Sequence, residues 1–309
     1  MNPRFVPDLA IETAVDFLPP RPEAAMVTAT YAPDFERCRL LCETMDRYVT
    51  GAPRHYLLVE HGDVPLFRQL ETAKRTVIDE RDLLPSWLHS FRDPTSWFRR
   101  RIWLSTRTAP LRGWHVQQLR RIAVAAHVPE DVLVYCDSDV VFVRPFDCGV
   151  FSRDGKVRLF RHADVNDTSL DSDQMAWSRN AGRVLGIASP EVTPHEYITT
   201  LIAWRRKAVL GMCRRIEDVS GEHWAAALGK RRRFSECMTY GRYVDEVLGG
   251  AGHFHGAEEF CRVRWWGKPM SDDELGAFIA ELTPEQVAIG MQSFIGTDIG
   301  RVRRLLADL

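Results

Sequence analysis

Two aspartates separated by one small residue, Asp137-Ser138-Asp139, follow directly on the apolar run Val132-Leu133-Val134-Tyr135-Cys136. A second apolar run, Val140-Val141-Phe142-Val143, begins at once after them. Carboxylates are hard oxygen donors, and a pair spaced this way suits a divalent cation such as Mg²⁺ or Mn²⁺, which keeps open positions for phosphate oxygens. An ion so held neutralises a diphosphate leaving group and orients the bond to be broken. Asp and Ser are also common turn residues, so a bare triplet of this kind is ordinarily a strand-end turn. The buried strand before it and the apolar strand after it favour a site here. Open parallel sheets bind ligands outside the carboxyl ends of their strands, where this strand sets its acids. The identical triplet Asp171-Ser172-Asp173 follows the loop-like Asn166-Asp167-Thr168-Ser169-Leu170 and reads as a solvated turn.

The elements that must position the acids are legible in outline. Ala24–Thr30 is a short apolar run with the character of a buried strand. Pro33 and Asp34 break it and start a helix over Phe35–Tyr48. His55–Glu60 and Thr76–Asp79 read as further strands, and strand-helix-strand alternation predicts a mostly parallel sheet with helices on its faces. Gly113 precedes a helix over Trp114–His127, in which Val116, Leu119, Ala123 and Ala126 form one apolar stripe. Val157–Phe160 is a strand candidate. From Thr193 the character turns helical: Ile198, Ile202, Val209, Met212 and Ile216 suit one face of a long helix, with further helices at Ser235–Val247 and from Glu285 to Ile289 or beyond. Gly249-Gly250-Ala251-Gly252 is a flexible connector. The expectation is one α/β domain: an irregular arm over 1–23, an α/β core over 24–192, and a mainly helical region over 193–309.

Composition bounds the function. The 309 residues carry 41 basic and 42 acidic side chains, a formal charge of -1. No bulk attraction to nucleic acid or to an anionic membrane is available, so any anion site must be local. No run of about 18 apolar residues occurs, so no membrane span is expected. Residues 1–20 contain Arg4, Asp8, Glu12 and Asp16, which leaves no apolar segment fit for a signal peptide. Seven cysteines without a CxxC pair read as reduced thiols in a cytoplasmic protein rather than as a zinc site.

Val27-Thr28-Ala29-Thr30, Gly113-Trp114 with Gln117-Gln118, Tyr135-Cys136-Asp137-Ser138-Asp139-Val140-Val141-Phe142, Phe234-Ser235-Glu236 and Tyr240-Gly241 occur in that order. In that order they resemble a glycosyltransferase of the GT-A type, and more narrowly the bacterial glycosyltransferase-like proteins grouped as DUF6492, over residues 24–270. The resemblance implies a GT-A-like fold and a nucleotide-diphosphate sugar bound across the first strand ends. Thr28, Thr30 and Tyr31 would lie near base and ribose, with Asp137 and Ser138 on the donor. Asp139, with Asp137, would ligate a Mn²⁺ or Mg²⁺ ion bridging the diphosphate. Gln117 and Gln118 would reach the donor, although adjacent helical residues cannot share a face. Metal sites of this fold commonly take a third ligand from the C-terminal part. His253 and His255 answer to that, since on a strand they would share a face.

Glu236 is the candidate nearest the reacting acceptor hydroxyl. Ser235 can cap the helix that Glu236 opens, and a carboxylate at a helix N-terminus can accept a proton if the reaction inverts the anomeric centre. An ordinary first-turn Glu would look the same. Lys230-Arg231-Arg232-Arg233 and Arg99-Arg100-Arg101 can clamp phosphate but more often form solvated surface. Trp265-Trp266 can stack an acceptor sugar, or simply pack.

Two other classes fit less of the sequence. In a haloacid-dehalogenase-like phosphatase Asp137 would be the nucleophile and Asp272-Asp273 the later acidic pair. That motif normally opens its fold, however, and Lys268 stands too close to the acidic pair. The third class is a non-catalytic nucleotide- or carbohydrate-binding module on a transferase scaffold.

Overall fold

The computed structural model describes residues 23–307; the arm expected over 1–23 lies, but for Glu23, outside them. Every residue of β1 (Ala24–Thr30) is buried. A 3-10 turn through Pro33 leads into α1 (Phe35–Tyr48), whose Phe35, Cys38, Leu41, Cys42 and Met45 recur at helical spacing and face the sheet. β2 (Arg54–Val59) and β3 (Arg75–Asp79) extend the sheet parallel to β1. A small antiparallel sheet follows, of β4 (His89–Arg92), β5 (Arg101–Leu104) and β6 (Leu111–Arg112). Then come α2 (Gly113–Ala123), continued by a 3-10 turn to Ala126, and the wholly buried β7 (Val132–Tyr135), which lies parallel to β1 on its other side. β8 (Val140–Phe142) leaves the central sheet immediately after the acid pair.

The chain continues through β9 (Lys156–Phe160), α3 (Asp173–Leu185), β10 (Ile202–Arg205), α4 (Arg206–Ser220) and α5 (Glu236–Arg242). It ends with β11 (His253–Gly256), β12 (Cys261–Arg264), α6 (Asp272–Ala280), β13 (Ala288–Met291) and α7 (Ile299–Ala307). The five-stranded sheet runs β10-β7-β1-β2-β3, parallel except for the edge strand β10. β8 pairs with β13, and β9 with β11. The molecule is therefore α/β, with a mostly parallel sheet and helices packed on it.

Two expected helices are corrected. The single helix through Ile198–Ile216 is instead β10 followed by α4. Ile198 and Ile202 do fall four apart, but strand pairing with β7 and the packing of Trp204 between Tyr135 and Tyr240, stacked on the latter, outweigh that weak periodicity. The helix expected from Glu285 is a turn and β13, whose four residues are buried between β12 and β8. So short an apolar run carries no period that separates helix from strand. Among the described residues, those beyond 193 thus hold four strands besides their helices, and one of them completes the central sheet. The glycine connector is a turn in which Gly249, Gly250 and Gly252 all take positive φ, ending at β11.

α5 docks closely on the segment that enters β10. A Cβ on Gly241 would stand 2.2 Å from the Tyr197 ring, so only glycine allows the approach. That approach sets the position of Glu236 at the start of the helix.

Candidate functional site

β7 ends on the rim where the parallel strands of the central sheet also end, and Asp137 and Asp139 emerge there. The Asp137 side chain is 30% exposed and accepts a hydrogen bond from the Thr200 hydroxyl at 3.4 Å. Asp139 is half-buried, and its Oδ2 accepts the Ser293 amide at 3.1 Å. Burial, together with the negative charges of Asp137 and Asp34, pushes the Asp139 carboxyl up to about 8. Three acids therefore crowd one rim, an excess of negative charge that a cation relieves. Ser138, between the pair, is buried.

Behind Asp137 stands a residue that sequence reasoning passed over. Arg121, from α2, places one nitrogen, Nη1, 3.1 Å from Glu236 Oε1 and 3.6 Å from Asp137 Oδ1. Its guanidinium lies over the Tyr135 ring at 4.9 Å, and the Tyr135 hydroxyl donates to its carbonyl at 2.7 Å. Burial works against the Arg121 charge, but Glu236, Cys237 and Asp137 more than offset it, and its pKa is raised. Glu236 is buried, which raises its pKa; Arg121 acts in the opposite direction without cancelling the rise. Ser235 caps α5, accepting the Met238 amide, as the sequence suggested. Gln118 is buried and accepts the Glu236 amide on Oε1 at 3.0 Å, so it positions α5, while Gln117 stays half-exposed. Arg121 falls three residues after Gln118, on the face that meets Glu236; that spacing was the one signal, and a faint one.

Other candidates lie elsewhere. Thr28 and Thr30 share a buried face of β1: the Thr28 hydroxyl bonds His55 Nε2 at 3.0 Å and Thr30 lies beside the Cys38 thiol. Period-two alternation turns both toward α1 and leaves only Tyr31 exposed at the rim. The histidine pair does not join the acids. His253 is buried, with Nδ1 bonded to the Ala251 carbonyl at 2.9 Å and Nε2 to the Tyr240 hydroxyl at 2.7 Å, so neither nitrogen is left for an ion. His255 Nε2 donates to Asp245 at 2.8 Å. Among the described residues no three His, Cys, Asp or Glu side chains gather into one candidate metal set, so the acid pair has no third protein ligand of these types beside it.

The second aspartate triplet is a helix start rather than a solvated turn. Ser172 caps α3 by accepting the Met175 amide, and Asp173 pairs with Arg233 at 2.8 Å. Lys230, from the same basic stretch, pairs with Glu222. Asp272 pairs with Arg301 on the surface. Trp266 is 77% exposed and meets the Phe294 ring at 5.6 Å between centroids, next to the Ser293 amide that holds Asp139. All seven cysteines are free and buried.

A family model described as a family of unknown function, DUF6492, matches residues 23–259. The chain belongs to the DUF6492 family. No curated protein matches it. The DUF6492 span takes in Asp137, Asp139, Arg121 and Glu236, whereas the Ser293 amide and the Trp266–Phe294 pair come from the chain beyond it.

A second buried acid on the same rim gives a pH signature. Glu60 directly follows β2 and pairs with Arg101 at 2.9 Å. Burial leads the causes that push it up to about 7, with Glu80 and Asp63 adding and Arg120 and Arg101 opposing. A carboxyl raised on folding favours the folded state fully below its unfolded value, near 4.5, and that contribution is lost as pH rises through about 7. Between pH 5 and 8 the melting temperature of wild type should therefore fall more steeply than that of Glu60→Gln. Parallel profiles would show that Glu60 titrates as an exposed acid.

Proposed function

We propose that this protein is a metal-dependent glycosyltransferase that moves a sugar from a nucleotide diphosphate to an acceptor hydroxyl, with a GT-A-like arrangement of its sheet. The observation that carries this reading is the pair of mutually repelling carboxylates, Asp137 and Asp139, on the rim at the carboxyl end of a buried parallel strand. The donor set fits a hard divalent ion, Mn²⁺ or Mg²⁺, held by two protein carboxylates, with its remaining positions filled by phosphate and water oxygens. When bound, such an ion supplies charge neutralisation for the departing diphosphate.

The chain's own residues divide the remaining work. Tyr31 and the rim of β1 border the donor, and the turn that carries the two acids is closed by the Val140 amide on the Asp137 carbonyl at 3.3 Å. Arg121 spans Asp137 and Glu236 and fixes their separation. In the transfer, the bond from the anomeric carbon to the phosphate oxygen breaks and a bond to the acceptor oxygen forms. Where the anomeric centre inverts, the acceptor proton passes to the Glu236 carboxylate, whose raised pKa brings it nearer working pH than an exposed glutamate; where it is retained, Glu236 positions the sugar instead. Trp266 and Phe294 offer exposed rings on which an acceptor sugar can stack. The destination of the sugar, by analogy with the resemblance, is a surface glycan.

The test is a thermal-shift screen of UDP, GDP and CDP, with and without Mn²⁺. One nucleotide should raise the melting temperature only when the ion is present, and its sugar conjugates should be slowly hydrolysed under the same conditions. A metal-independent response to every nucleotide, or none to any, would count against the assignment.

A further inference from the structure

The β4–β6 sheet carries at its tip a turn that the site described above does not use. Between β4 and β5 the chain folds back on itself. The Asp93 amide donates to the Arg100 carbonyl at 2.9 Å, Phe98 to the Asp93 carbonyl at 3.0 Å and Arg99 to the Ser96 carbonyl at 3.1 Å. The Asp93 carboxylate is buried under the turn and accepts both the amide and the hydroxyl of Thr95. This closure holds two consecutive bulky residues in the left-handed region, Trp97 at φ 53° and Phe98 at φ 60°. Such backbone is costly for large side chains and persists only where the surroundings enforce it.

The outcome is display. Trp97 is 86% exposed and Phe98 60%, with Phe91 also exposed beside them. Arg92, Arg99 and Arg100 are exposed on the same tip, and the ion pairs among the described residues include none of them. Asp93, the single acid between His89 and Arg101, is buried. In a chain of formal charge -1 this is a concentrated positive patch wrapped around exposed aromatic rings.

We propose that this tip docks the protein on an anionic lipid bilayer. Aromatic side chains settle at the boundary between headgroups and acyl chains, and arginines around them are drawn to anionic headgroups. A glycan would instead need acceptors as well as donors around the rings, and the tip's side-chain acceptors, on Asp93, Thr95 and Ser96, are spent on the turn itself. Arg101, at the base, is tied to Glu60 at the carboxyl edge of the central sheet. The docked protein thus holds that edge, which also bears Asp137 and Asp139, close to the membrane.

The experiment is cosedimentation of the full chain with phosphatidylcholine vesicles, with and without phosphatidylglycerol. Wild type should pellet with the anionic vesicles at low salt and be released at high salt. At about fivefold per arginine, Arg99→Ala/Arg100→Ala should weaken binding roughly twenty-five-fold. Trp97→Ala/Phe98→Ala should weaken it by more than about tenfold. Trp97→Gly/Phe98→Gly, which preserves the left-handed turn, should do the same with an unchanged melting temperature. The proposal is overturned if wild type stays in the supernatant with anionic vesicles at low salt, or if the aromatic variants bind as wild type does. It is equally overturned if the tip variants lose binding to a soluble oligosaccharide while vesicles are never bound.

Discussion

Replacing Arg121 by methionine should lower the free energy of unfolding by about 3–5 kcal/mol, the loss expected when one partner of a buried ion pair is removed. Methionine keeps much of the volume over the Tyr135 ring but leaves Glu236 buried without a counter-charge and Asp137 without its closest cation. Urea unfolding at neutral pH measures it. Adding Glu236→Gln to Arg121→Met should recover most of the loss, because the uncompensated charge is its main cause. A loss below about 1 kcal/mol, typical of exposed pairs, would mean that water reaches the network and that Arg121 does not organise it.

Asp139→Asn should reduce Mn²⁺-dependent nucleotide binding and sugar-nucleotide hydrolysis by more than about a hundredfold, since loss even of residues that only support metal ligands costs 10–100-fold. The fold should survive. Asp139 is crowded by Asp137 and Asp34, and replacing it with a neutral amide removes that repulsion while keeping the side-chain oxygen that accepts the Ser293 amide. At pH 8 without metal the variant should therefore melt no lower than wild type. A metal-dependent response equal to that of wild type would remove Asp139 from the proposed ion site, and a collapsed fold would make it a structural residue.

Most of the central sheet was readable because its strands are short, apolar and bounded by turn residues. Ala24–Thr30 and Phe35–Tyr48 fall where the patterns place them. The acid pair was readable for the same reason, since a buried strand running straight into two carboxylates leaves few places for them to go. Three parts of the neighbourhood were not readable. Arg121 follows another arginine, Arg120, and looks like helix surface until α5 docks against it. The Ser293 amide that meets Asp139 is backbone and carries no residue signature. His253 and His255 have the spacing of a ligand pair, but β11 pairs with β9, and the partners there, Tyr240 and Asp245, engage them first. Local pattern places a side chain on a face, whereas its partner comes from a segment far away in the chain.

The antiparallel edge strand β10 has a bearing on how the protein is made. β7 reaches the end of its run at Tyr135, yet its outer neighbour is supplied only when Ile202–Arg205 has been synthesised. Until then the nascent polypeptide carries an uncovered hydrogen-bonding margin beside its two aspartates, open to mispairing with another chain. Translation must pass residue 205 before that margin can close, so fragments ending earlier should be recovered as aggregates.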